Sequence, residues 1–191
     1  MISEQEYEDE TFNLQTWIER SLKNKVFSHS TFIGCDFSRS DLTGCRFAEC
    51  KMQNCNFSLV KLDGVRLHNV IFENCKFVGV NFSKCEGILL SIKFKGCLFD
   101  TCDFSDLDLK NTPFIECMVR NALFNYSKLA GADFSRSDLR GSIFDNADLS
   151  KADFRTSVNY SINPLTNKLT KARFSIPEVL SLLKHIDIAI E

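Results

Sequence analysis

The chain has 191 residues, 44% hydrophobic and 25% charged, a length that suits one domain, and no apolar run approaches the roughly 20 residues a membrane-spanning helix requires. Its 23 basic and 25 acidic side chains leave a formal charge of −2, so no overall field points to nucleic acid or to an anionic membrane surface. Nine cysteines are an odd count, and in a chain without an export signal they argue for free thiols over a disulfide scaffold.

Residues 1–11 contain Glu4, Glu6, Glu8, Asp9 and Glu10 and no base, unlike the basic start and apolar stretch of a secretory signal. This predicts a frayed N-terminus and a cytoplasmic location. From Phe12 onward, phenylalanine recurs at multiples of five: Phe12, Phe27, Phe32, Phe37, Phe47, Phe57, Phe72, Phe77 and Phe82 share one register. Phe94, Phe99, Phe104, Phe114, Phe124, Phe134, Phe144, Phe154 and Phe174 share a second, and the two sets exhaust all 18 phenylalanines. Leu, Met, Val and Trp17 fill most gaps at this central position. Two residues before the centre the chain prefers something small, and all nine cysteines fall there, with Ala132, Ser137 and Ala147 among the others. Two inward side chains in every five fit neither an α-helix nor a flat strand. They fit a tightly coiled ribbon.

Steps of twenty place like beside like: Phe94, Phe114, Phe134, Phe154 and Phe174 form one column, Leu109, Leu129, Leu149 and Leu169 another. Four units therefore close one coil, and the cross-section has four sides. The first coil carries Glu10, Gln15, Arg20 and Lys25 at the small positions, so it is expected to be irregular and helical near Trp17.

Between Phe82 and Phe94 the spacing is two residues too long, which places an insertion in the segment from Glu86 to Ser91. Two readings stand side by side. In one, Gly87 permits a bulge; in the other, Gly87, Ile88, Leu89 and Leu90 form a contact for a partner, because three apolar residues occupy an outer face. Further on, Asp133, Asp138, Asp148 and Asp153 stand at outer positions and are candidate partner contacts. Residues 175–191 leave the repeat. Ser175-Ile176-Pro177-Glu178 has the form of a helix-capping box with an early proline, and alternation from Ile186 to Ile190 reads as a short strand. A C-terminal α-helix would close the open end of the coil. Its apolar surface, Val179, Leu180, Leu182, Leu183, Ile186 and Ile188, is wide enough to predict a homodimer through that helix, with a monomeric lid as the alternative.

Catalytic and metal roles find no support in the residue pattern. The cysteines sit inward, only His29, His68 and His185 are present, and no phosphate loop, dinucleotide turn or zinc-protease motif occurs. The chain therefore reads as a non-enzymatic protein that needs no cofactor.

Over roughly Phe12 to Phe174 the units, such as Ala132-Asp133-Phe134-Ser135-Arg136 and Ala147-Asp148-Leu149-Ser150-Lys151, resemble the pentapeptide-repeat family. The resemblance implies an all-β solenoid over residues 12–174, a right-handed quadrilateral β-helix of about eight coils and near 40 Å long at ~4.8 Å per coil. With its C-terminal segment Leu182-Leu183-Lys184-His185-Ile186, the chain looks like the Qnr-type quinolone-resistance and microcin-immunity members. They imply a dimeric rod that imitates DNA and shields bacterial type II topoisomerase, DNA gyrase or topoisomerase IV, from quinolone-type poisons. Such a rod binds no nucleic acid directly. A general protein-interaction scaffold with an unrelated partner is the alternative, because the first half carries Arg46, Lys51, Lys61, Arg66 and Lys76 at the outer positions.

Overall fold

The computed structural model describes residues 5–86, 91–186 and 188, and it is a parallel β-solenoid with four sides. The first side is a four-stranded sheet of Glu6–Glu8, Val26–Ser28, Arg46–Ala48 and Arg66–His68. The second is a six-stranded sheet running from Thr11–Asn13 through Thr31–Ile33, Lys51–Gln53, Val70–Glu73 and Ile92–Lys95 to Phe114–Ile115. Isolated bridges from Pro113 to Asp133, Asp153 and Arg173 carry that side three levels further. The third side includes Lys76–Val78, Leu98–Asp100 and Met118–Arg120, and the fourth is held by bridges such as Ser21 to Asp41 and Asp103 to Leu123. Partners lie twenty residues apart below the insertion and above it, and twenty-two apart across it, as in Phe72 with Phe94.

The period follows from backbone conformation. The second residue after nearly every centre takes a positive φ, as in Asn24, Arg39, Asn54, Asn121 and Arg136, and this left-handed residue turns the chain through a corner. The residue before the centre braces many of the turns between corners. Where that residue is Asp or Asn, its carboxylate or amide oxygen accepts the backbone N–H two residues on: Ser38 to Asp36 at 2.8 Å, Ser58 to Asn56 at 3.1 Å, Ser105 to Asp103 at 2.9 Å. This local bond draws the side into a turn in place of a strand. Sides without this bond include the three-residue strands at Val26, Thr31, Arg46 and Lys51, and also turns, as at Thr16, Lys61 and Lys128.

The shaft is filled by columns of rings. Phe94, Phe114, Phe134, Phe154 and Phe174 stack with centroids 5.0 to 5.3 Å apart, and Phe82, Phe104, Phe124 and Phe144 with 4.5 to 5.0 Å. Neighbouring columns meet edge to face, as in Phe114 and Phe124 at 5.9 Å and 87°. Each ring thus satisfies both geometries that its quadrupole prefers. The small position is more than a space filler. Its hydroxyl or thiol donates to the carbonyl of a central residue one level below: Ser137 to Phe114 at 2.6 Å, Ser142 to Val119 at 2.7 Å, Cys45 to Leu22 at 2.9 Å.

Three expectations are corrected. The first coil is neither frayed over residues 6–11 nor helical near Trp17: Glu6–Glu8 and Thr11–Asn13 are paired strands, and Trp17 packs on Phe37, tilted, with centroids 4.7 Å apart. Glu10, Gln15 and Arg20 are tolerated at the small positions because the end of the shaft leaves them exposed. In the last coil the five-residue register points to Asn159 and Pro164, yet Tyr160 and Ile162 are the residues turned inward, with Tyr160 against Phe154 and Phe174. The C-terminal helix, Glu178–His185, is 3₁₀ and not α. Its expected capping box is absent as well: Pro177 is the N-cap residue, and the Ser175 hydroxyl bonds the Arg155 carbonyl instead. Asp187, Ala189, Ile190 and Glu191, part of the expected strand, lie outside the described residues.

Candidate binding faces

A 3₁₀ helix repeats every three residues, and that period divides the expected dimer face in two. Val179 and Leu182 fall on one side and pack against the solenoid core, with Leu182 only 9% exposed. His185 continues that side and meets the Ser161 hydroxyl at 3.0 Å. Leu180, Leu183 and Ile186 fall on the other side. With Pro177, Lys184 and Ile188 they line an open groove of about 570 Å³. Leu180 is 50% exposed and Ile188 53%. The lid and the unpartnered apolar surface are therefore different residues of one short helix.

The structure scatters the four candidate aspartates over three sides: Asp133 and Asp153 on the second, Asp138 on the third, Asp148 on the first. All four brace turns. Asp133 accepts the Ser135 N–H at 2.8 Å, Asp148 that of Ser150 at 3.0 Å, Asp153 that of Arg155 at 3.1 Å, and Asp138 that of Arg140 at 3.2 Å. Three also meet bases: Asp138 with Arg120 at 3.6 Å, Asp148 with Lys168 at 3.2 Å, and Asp153 with Arg155 at 2.7 Å and Arg173 at 3.7 Å. Arg155 holds the Asp153 carboxyl below the ordinary carboxylate range, and Ser150 with Lys168 does the same for Asp148. The recurrence of aspartate before the centre thus has a conformational cause. Gly87, Ile88, Leu89 and Leu90 lie outside the described residues.

All nine cysteines are buried free thiols, and Cys35, Cys55, Cys75, Cys97 and Cys117 occupy one column. Burial raises the Cys45 and Cys102 thiols to about 11 and the Cys85 thiol to about 12. Among the described residues, no group of three or more His, Cys, Asp or Glu side chains is placed to hold a metal ion. Nor is any helix long and apolar enough to cross a membrane.

A four-sided parallel solenoid with a ring-filled shaft and flat braced sides defines a class of rod-like repeat proteins. The chain belongs to the pentapeptide-repeat family: residues 25–87 match the family model described as a pentapeptide repeat region, and residues 120–155 match that for pentapeptide repeats in eight copies. Among solved structures, it is similar to full-length QnrB1, a plasmid-mediated fluoroquinolone resistance protein, with 18% identity and a TM-score of 0.40 over 96% of this chain and 100% of that one. HetL, a pentapeptide repeat protein involved in heterocyst differentiation regulation in the cyanobacterium Nostoc, matches with 18% identity and a TM-score of 0.32, covering 84% and 88% of the two chains. A pentapeptide repeat protein from the thylakoid lumen of Arabidopsis thaliana matches with 21% identity and a TM-score of 0.29 over 71% and 69%. No curated protein matches the sequence.

Proposed function

We propose that this chain is a non-enzymatic, cytoplasmic binding rod, dimeric through its C-terminal helix, that engages a protein partner along its flat sides. The observation that carries this reading is the use of its reactive side chains: the thiols fill the shaft and the outer aspartates brace corners, so what remains is a rigid surface. Of the two finer readings, a general interaction scaffold fits the charge pattern better than an electrostatic imitation of DNA. Bases interrupt the acids on every side that carries an aspartate discussed above, as in Lys128, Asp148 and Lys168 on the first side.

Protection of DNA gyrase or topoisomerase IV from quinolone-type poisons is the finer reading with a named partner, and it has a direct test. Gyrase supercoiling is measured with and without ciprofloxacin at micromolar protein. Rescue that survives Asp133→Asn and Asp153→Asn would establish protection by shape; rescue lost in those variants would establish protection by charge. Neither rescue nor inhibition leaves the scaffold with a different partner. The dimer is tested by light scattering: twice the chain mass is expected for the unaltered protein and the single mass for Leu180→Glu with Ile186→Glu. A single mass for both would remove the dimer.

A further inference from the structure

Among the described residues, the end opposite the C-terminal helix is open. Glu6–Glu8 and Thr11–Asn13 are the outermost strands of their sheets, each paired on one side only among the described residues. At the second level, the amides of Thr31, Asp36 and Asp41 donate downward to the carbonyls of Glu10, Gln15 and Arg20. The equivalent amides of the first level belong to Thr11, Thr16 and Ser21, and among the described residues nothing lies below to accept from them. The rings tell the same story. Tyr7, Phe12 and Trp17 pack upward on Phe27, Phe32 and Phe37 at 5.0, 4.8 and 4.7 Å but have no ring beneath among the described residues, and they are half-buried where the next level is 0 to 2% exposed.

Charge selects what can cover this end. Residues 5–17 carry Glu6, Glu8, Asp9 and Glu10, all exposed, and no base. None of the four forms an ion pair among the described residues. Of the bases of this coil, Lys25 lies 5.2 Å from the Tyr7 ring centroid, Lys23 meets Asp41 at 3.1 Å, and Arg20 is exposed at the corner between the third and fourth sides, away from the first-side strand that carries Glu6 and Glu8. A second copy of the same end would set eight carboxylates against one another, and the far end of the shaft is closed by its 3₁₀ helix. An edge strand with an acidic rim and an aromatic floor suits an extended basic segment.

We propose that the open first coil is a docking site for an extended basic segment of a partner protein, which adds one further level to the solenoid. The site is distinct from the outer sides and from the dimer groove, and it goes beyond the function proposed above. Register fixes the recognised pattern. The pairing of Glu6, Tyr7 and Glu8 with Val26, Phe27 and Ser28 requires, one level lower, a basic residue, a large apolar residue and a basic residue. A second large apolar residue five positions on would rest on Phe12.

The probe is a fluorescein-labelled peptide, Lys-Phe-Lys-Asn-Ala-Thr-Phe-Thr, with Glu-Phe-Glu-Asn-Ala-Thr-Phe-Thr as its control. Trp17, the one tryptophan of the chain, stands 5.5 Å from Phe12 and reports from the end itself. Binding of the basic peptide at least about tenfold tighter than the acidic one is expected, weakening as salt rises from about 50 to about 500 mM, with a change in Trp17 emission. Glu6→Lys with Glu8→Lys, both exposed and so compatible with folding by circular dichroism, should reverse the preference. Equal or absent binding of the two peptides, or a preference the double variant leaves intact, would overturn the proposal. So would assembly of the protein through this end without peptide, since the occupant would then be a second copy.

Discussion

Each residue type in the repeat is chosen by a contact one level away. Cysteine at the small position fits beneath a ring and donates its S–H to a central carbonyl twenty-three or twenty-five residues earlier, as Cys75 does to Met52 and Cys97 to Phe72, both at 3.4 Å. Burial also keeps all nine thiols out of reach of a reagent in solution. The native protein is therefore expected to show almost no reaction with a thiol reagent at pH 8, followed by release of all nine equivalents in guanidinium; rapid reaction of several thiols in the folded state would contradict their placement. The inward position of cysteine was legible from the five-residue register alone. Its hydrogen bond was not, since that depends on how coils are offset. Nor was the exchange of Asn159 for Tyr160, which reflects the cost of turning an asparagine into an apolar shaft when a ring stands next to it.

For single elements, an aspartate or asparagine before the centre goes with a turn, and turns at Thr16, Lys61 and Lys128 form without one. Asparagine at Asn56 and Asn81 makes the same bond as aspartate at Asp36 and Asp133, so charge is not what the corner requires. Asp133→Asn should leave stability nearly unchanged, while Asp133→Ala should cost about 1–2 kcal/mol in denaturant melts, since it leaves the Ser135 amide without its acceptor. Equal losses for both would show that the carboxylate acts through charge. The recurring aspartate and asparagine were present in the sequence, but they read as surface charge until the turn is seen. The C-terminal helix shows the opposite limit. Its apolar residues suggested one wide face, and only the three-residue period of the observed helix separates Leu182 from Leu180 and Leu183.

The whole molecule is a stack whose interior levels are alike and whose ends are not. A period in sequence reports the interior, where every unit meets the same surroundings, and is silent about ends, which is why the first coil and the last were misjudged. The outer carboxylates couple the stack to pH. Asp148 and Asp153 are held below their unfolded values, so their contribution is fully present above about pH 4 and is lost as pH falls through the depressed folded values. The melting temperature should be flat from about pH 7 to about pH 5 and fall below about pH 4. The fall should be shallower in Asp148→Asn with Asp153→Asn; an unchanged slope would place the acid sensitivity elsewhere. Underlying all of this is the claim that successive rings rest directly on one another. A double-mutant cycle between Phe114 and Phe134, whose centroids are 5.1 Å apart, tests it by substituting leucine at each. A coupling of about 0.5–1.5 kcal/mol is predicted for that pair, and one near zero for Phe94 with Phe154, three levels apart. Absence of coupling in the adjacent pair, or equal coupling in both, would contradict the stacked shaft.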